Sequence, residues 1–324
     1  MYALATLAVA GTAFAQSSVT LSGTYSVSYQ KDLTSTVGNS VYAPTTTSAG
    51  TNATAAAAAV GKGFAVTDAN FKLAAVEDLG GGLKASFDTT FETGAQRGAA
   101  LTRADSGIAL ANAMGTVSFR NTRTSDLIAS IGSSAVSLPD GLYDSSNIVA
   151  RGATDVFGVS LPLGNGLTAS VSYAELTADG NIALSGNSKS AMIYGLSYAA
   201  GPLAAAVVVK NVATPVASGD KKSNYEFSAS YDFGVAKVAY AFDGKTKDTD
   251  TSTEYEKSAN GFSVTVPAGA LTFGANYFKR GTYKVSEVGA SYALSKRTAV
   301  TVSTGKQTAD NNGNQYRVKV AHSF

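Results

Sequence analysis

Along residues 18–30 apolar and polar positions alternate. Val19, Leu21, Tyr25, Val27 and Tyr29 share one phase, with Gly23 as a gap; Thr20, Ser22, Thr24, Ser26 and Ser28 share the other. A two-residue period held this long predicts a strand with one apolar face and one hydroxyl-rich face. The pattern then returns in pairs around short turns. Phe71, Leu73 and Ala75 lead to a turn at 78–82, and Leu83, Ala85, Phe87, Thr89 and Phe91 follow it. Similar pairs flank turns at 113–115, 164–166, 201–202, 232–234, 267–269 and 295–297, most of them bearing Gly or Pro. The last nine residues, YRVKVAHSF, close the series: Tyr316, Val318, Val320, His322 and Phe324 share a phase, with Arg317 and Lys319 behind them.

The count predicted is 16 strands, one at each end and seven tight hairpins between. Short connections alternate with long polar ones, at 31–63, 93–106, 121–147, 177–189, 243–258 and 305–314. The stretch 283–288 changes phase, which predicts a β-bulge there. Sixteen antiparallel strands joined to their sequence neighbours tend to close on themselves. A barrel of that size is too wide for side chains to fill and holds water. Its inner wall must then be polar, and its apolar wall must face lipid; closure also satisfies every backbone N–H and C=O. The expected fold is therefore an all-β, 16-stranded antiparallel transmembrane β-barrel. Its short turns would lie on the periplasmic side, its long loops on the extracellular side.

Composition sharpens this in a few places. The 324 residues hold 25 Lys plus Arg against 23 Asp plus Glu, a balance that argues against nucleic-acid binding. Cysteine is absent and His322 is the single histidine, so thiolate or multi-histidine metal sites and Ser-His-Asp catalysis have no material. No cofactor is expected. With 16 Tyr and no Trp, tyrosines would form the aromatic girdles. The opening MYALATLAVAGTAFAQ reads as a secretory signal, residues 1–15, with Ala13-Phe14-Ala15 as the cleavage site and the barrel spanning 16–324, although no Lys or Arg precedes the apolar run.

Two stretches are similar to the Gram-negative general porins. NFKLAAVEDLGGGLKASFDTTFE (70–92) resembles that family's second hairpin, with Glu77 to Ala85 matching its turn. GASYALSKRTAVTVS (289–303) resembles the penultimate hairpin. The resemblance implies an outer-membrane homotrimer, a third loop folded into the pore, and a C-terminal Phe324 presented to the barrel-assembly machinery. One departure stands out. Where the family usually continues the fifth strand with Gly-Arg-Gln, this chain reads Phe119-Arg120-Asn121-Thr122-Arg123.

Strand phase assigns charges to the inner wall: Lys72, Lys84, Arg120, Lys237, Arg317 and Lys319 as cations, Asp88, Glu92 and Glu226 as anions. Six against three predicts a mild anion preference. Asp126, Asp140 and Asp144 in the third loop would oppose Arg120 and Arg123 across the constriction. The expected function is passive diffusion of small hydrophilic solutes and ions. The alternative is a substrate-specific channel with a saturable site. An outer-membrane barrel enzyme would need a nucleophile with a positioned base, for which the lone His322 on the last strand is a poor candidate, and an exported β-sandwich adhesin would stay soluble without detergent.

Overall fold

The computed structural model describes residues 17–32, 61–93, 101–123, 127–136, 153–175, 190–212, 222–245, 256–307 and 315–324. The proposed signal segment lies outside them. Within them the chain forms β1 (Ser18–Asp32), β2 (Gly61–Gly80), β3 (Leu83–Thr93), β4 (Leu101–Asn112), β5 (Gly115–Arg123), β6 (Ala153–Gly164), β7 (Leu167–Glu175) and β8 (Ser190–Ala200). The series continues as β9 (Leu203–Val212), β10 (Ser223–Asp232), β11 (Lys237–Asp243), β12 (Ala259–Ala268), β13 (Leu271–Arg280), β14 (Tyr283–Ala293), β15 (Thr298–Gln307) and β16 (Gln315–Ser323). One helical turn, α1 (Leu127–Ser130), lies between β5 and β6.

Each strand pairs antiparallel with its sequence neighbours, and β1 pairs with β16, so the sheet closes into a barrel. At the seam Tyr25 stands opposite His322, Val27 opposite Val320 and Lys31 opposite Tyr316. Gly23 and Phe324 exchange two backbone hydrogen bonds of 3.1 Å. Closure leaves no edge strand to pair with another chain. All seven expected hairpin turns are present at one end. Around 78–82 and 164–166 the tight reversal requires positive φ, supplied by Gly80, Gly81 and Gly82 and by Gly164, Asn165 and Gly166. The Asp78 carboxylate accepts the Gly80 N–H at 2.9 Å, and Asp232 accepts the Gly234 N–H at 2.8 Å, each bracing its turn.

Directly opposed residues share a face, so the register carries one phase around the whole barrel. The row from Ser26 runs through Asp68 on one side and Ala321 on the other. The opposite row is apolar and bare: Val19 is 71% exposed, Leu21 58%, Val288 53% and Val302 52%. In a closed sheet that row points away from the lumen, and only hydrocarbon makes such a belt stable. Aromatic side chains cluster at both ends of it. Tyr29 meets Phe64 and Tyr316 near the long connections, and Tyr231 meets Phe233 at the short turns. Among the described residues no helix is long and apolar enough to cross a membrane; the strands do the crossing.

The buried apolar cluster lies inside the barrel. Ile128 and Ile131 pack against Ala239, Ala241, Ala259, Phe278 and Val285 of the inner wall, with Val136 and Tyr283 beside them. This cluster explains the phase change at 283–288. β14 pairs without interruption on both sides, so there is no bulge there. Tyr283 and Val285 are apolar yet face inward, because the third connection covers them. Register shifts fall instead in β1/β2, β2/β3, β3/β4 and β6/β7. Three further differences concern boundaries. β2 begins at Gly61, ten residues before the strand read from Phe71; β4 takes in Leu101 to Asp105, expected as loop; and β13 joins β14 through Gly281 and Thr282, a short turn at the end of the long connections.

Candidate channel and constriction

The inner wall is built from the polar phase of every strand. The register puts Lys72, Lys84, Asp88, Glu92, Arg120, Glu226, Lys237, Arg317 and Lys319 in that phase. Asp88 lies at the centre of one group. It takes Lys72 at 3.1 Å and a two-pronged Arg120, Nη1 at 2.9 Å and Nη2 at 3.0 Å. A planar guanidinium fits a carboxylate in this way, giving direction as well as charge. Arg120 is on β5 and Asp88 on β3, so the arm crosses β4, and it crosses at Gly107. A Cβ on Gly107 would lie 2.8 Å from Arg120 Cγ, which is why the position has none.

The group continues around the seam. Lys319 Nζ stands 3.4 Å from Asp68 Oδ2, which also accepts the Ser26 hydroxyl. Arg317 Nε donates to the neutral Gln30 Oε1 at 2.8 Å. From β16 to β5 the middle of the wall therefore carries Arg317, Lys319, Lys72 and Arg120 against Asp68, Asp88 and Asp105, the last lying near Arg120.

The other side of the lumen is covered by the third connection. Its first described part, 127–136, is fastened to β10 through β14. The Leu127 N–H points at Glu226 Oε2 at 3.4 Å, and the Ser263 hydroxyl donates to the Ile131 carbonyl. The Ser133 N–H donates to Asn276 Oδ1 at 2.8 Å, and Thr265 Oγ1 donates to Ser133 Oγ at 2.7 Å. Asn276 Nδ2 in turn donates to Glu287 Oε2 at 3.0 Å. Two glycines make room: a Cβ on Gly274 would run into Ser133 Oγ, and one on Gly289 into the Ala135 carbonyl. The described part of the connection thus narrows the lumen from the side of β10 to β14.

Several inner-wall charges escaped the sequence reading. Lys210 pairs with Glu226, and Arg280, fully buried, reaches Asp243 at 2.6 Å and the Lys257 carbonyl at 2.7 Å. Asp68 and Glu287 also face inward. The count of six cations to three anions is therefore too uneven. With these residues and Asp105, which lies near Arg120, added, and with Asp78 and Asp232 set aside as turn braces, it is eight to seven among the described residues. Phase could have found them: Lys210 follows Val209, Asp243 follows Phe242, and Glu287 precedes Val288, each an outward residue. Asp68 was lost because β2 was started too late.

Asp126, Asp140 and Asp144 lie outside the described residues. Arg123 ends β5 opposite Ala153, three positions beyond Arg120. His322, on the outer phase, has Nδ1 2.9 Å from Thr298 Oγ1.

Residues 2–312 match the model of the Gram-negative porin family. No curated protein sequence matches the chain. Among solved structures it is similar to the anion-selective porin from Comamonas acidovorans, with TM-score 0.62 and 21% identity over 95% of this chain and 100% of that one. Two mutant forms of the porin from Rh. blastica superpose with TM-scores of 0.61 and 0.62, at 13% identity over 95% of this chain and 100% of theirs. These likenesses concern the fold.

Proposed function

The chain belongs to the Gram-negative porin family, and from that premise we propose that it is a homotrimer whose lumen favours anions mildly while passing small hydrophilic solutes. As a porin it is a passive diffusion channel of the outer membrane. The short turns face the periplasm and the long connections face outside; Phe324, at the short-turn end, is the signal read by the barrel-assembly machinery. Residues 1–15 are removed on export.

One observation carries the ionic preference. Lys72 and Arg120 share Asp88, with Asp105 also near Arg120, and Lys319 and Arg317 stand beside them with Asp68, so among the described residues four cations meet three anions along this wall. A charge roughly 6 Å from a passing ion in water contributes about 0.7 kcal/mol, or about threefold in permeability. The preference is therefore mild. The test is the reversal potential of purified protein in a planar bilayer under a salt gradient. Anions should permeate more readily than cations, and Arg120→Gln should cut the ratio by up to about tenfold, because the lost charge acts with opposite sign on the two ions. A wild-type preference for cations would overturn the assignment of the wall.

A further inference from the structure

We propose that an alcove beneath the third connection is a weak binding site for small hydroxylated monoanions, sugar acids being the simplest, as they cross the channel. The proposal rests on reading the barrel as an open, water-filled channel. The alcove is a cavity of about 530 Å³ between the inner faces of β8 to β12 and the stretch 130–134. That volume lies in the ordinary range for small-molecule sites. It exists because Ala204, Ala206 and Ala239 face inward where longer side chains would fill the space. Its roof is held in place by the Thr265–Ser133 and Ser263–Ile131 hydrogen bonds.

The lining has two chemical parts. Ser197, Ser228 and Ser230 on the wall and Ser134 on the roof present hydroxyls, each able to donate and accept. Such a set complements the adjacent hydroxyls of a polyol. The second part is Lys237, the one charged side chain among the described residues of the lining. It differs from most inner-wall cations. Lys72 and Arg120 meet Asp88, Lys319 meets Asp68, Lys210 meets Glu226 and Arg280 meets Asp243. Among the described residues Lys237 makes no ion pair; its register neighbour Asp232 braces a turn through the Gly234 N–H. An exposed ammonium beside several hydroxyls suits a solute with one carboxylate and a hydroxylated chain. A neutral sugar meets only the hydroxyls, and a simple carboxylate only the ammonium.

The test uses the purified full-length protein in planar bilayers, with chloride current recorded as gluconate, glucose or acetate is added at matched osmolarity. Gluconate should reduce the current along a saturating curve, with glucose and acetate at least about fivefold weaker. Lys237→Gln should weaken the gluconate effect about fivefold with the channel still open. Lys84→Gln, at another short turn, should leave it unchanged. Ser228→Ala with Ser230→Ala should weaken gluconate but not acetate. A current that falls only in proportion to solution conductivity would overturn the proposal, as would equal effects of the two lysine variants. A protein that forms no channel at all would overturn the porin reading as well as the alcove, so the two failures are distinct.

Discussion

Asn276→Ala is the most informative single change, because Asn276 ties the third connection to the wall from both ends of its amide. Oδ1 accepts the Ser133 N–H at 2.8 Å and Nδ2 donates to Glu287 Oε2 at 3.0 Å. Ser133 is 5% exposed and Glu287 2%. Glu287 Oε1 already has no partner, so the substitution strips the second carboxylate oxygen too. An orphaned buried N–H costs about 1–3 kcal/mol, and an ordinary hydrogen bond contributes about 0.5–1.5 kcal/mol. Water entering from the lumen recovers part of this, leaving about 1–3 kcal/mol of weakening. Ile128 and Ile131 still hold the connection, each by about 1.5–3 kcal/mol of burial. The barrel's own ladders are untouched, so the sheet should survive while the connection loosens. In single-channel recordings wild type should give a steady current, and Asn276→Ala should flicker between that level and a higher one. Thr272→Ala, inward on the same strand nearer the short turns, serves as the quiet control. An Asn276→Ala channel as steady as wild type, in a protein that lacks the Ser133 contact, would refute the view that this latch sets the constriction.

Gly274→Val should push Ser133 off the wall into the lumen and lower single-channel conductance, because the space beside Gly274 is already taken by Ser133 and Ala135. Val302→Arg places a charge midway along the outer belt and should destabilise the barrel by about 2–4 kcal/mol, measured by urea unfolding from lipid vesicles. Deleting Phe324 removes two seam hydrogen bonds and should lower the temperature at which the folded band disappears on unboiled gels. N-terminal sequencing of protein recovered from outer membranes should begin at Gln16; a retained Met1 would contradict the signal assignment.

The strands and their facing were legible because the chain repeats one simple rule, apolar out and polar in, with glycine at each tight reversal. That rule located all seven hairpins. It failed where a second layer meets the wall. Tyr283 and Val285 face inward against Ile128 and Ile131, so apolar residues appear in both phases and the alternation seems to break. The same layer hides the glycines at 274 and 289, whose meaning is the backbone and side chains of a segment about 140 residues away. The Asp88–Arg120 pair was visible as two charges but not as a contact, since it spans β4 and needs the register to be known. Phase gives the face a side chain takes, and only pairing gives its partner.

The absence of cysteine allows a direct measurement of the central claim: single cysteines along β7, one at each position from Thr168 to Tyr173. In protein inserted into lipid, Thr168, Ser170 and Ser172 variants should react with a membrane-impermeant thiol reagent and lose current as they do. Fluorophores on Ala169, Val171 and Tyr173 variants should instead be quenched by nitroxide-bearing lipid. Reversed phases, or six positions that all behave alike, would contradict a barrel that is apolar toward lipid and wet within.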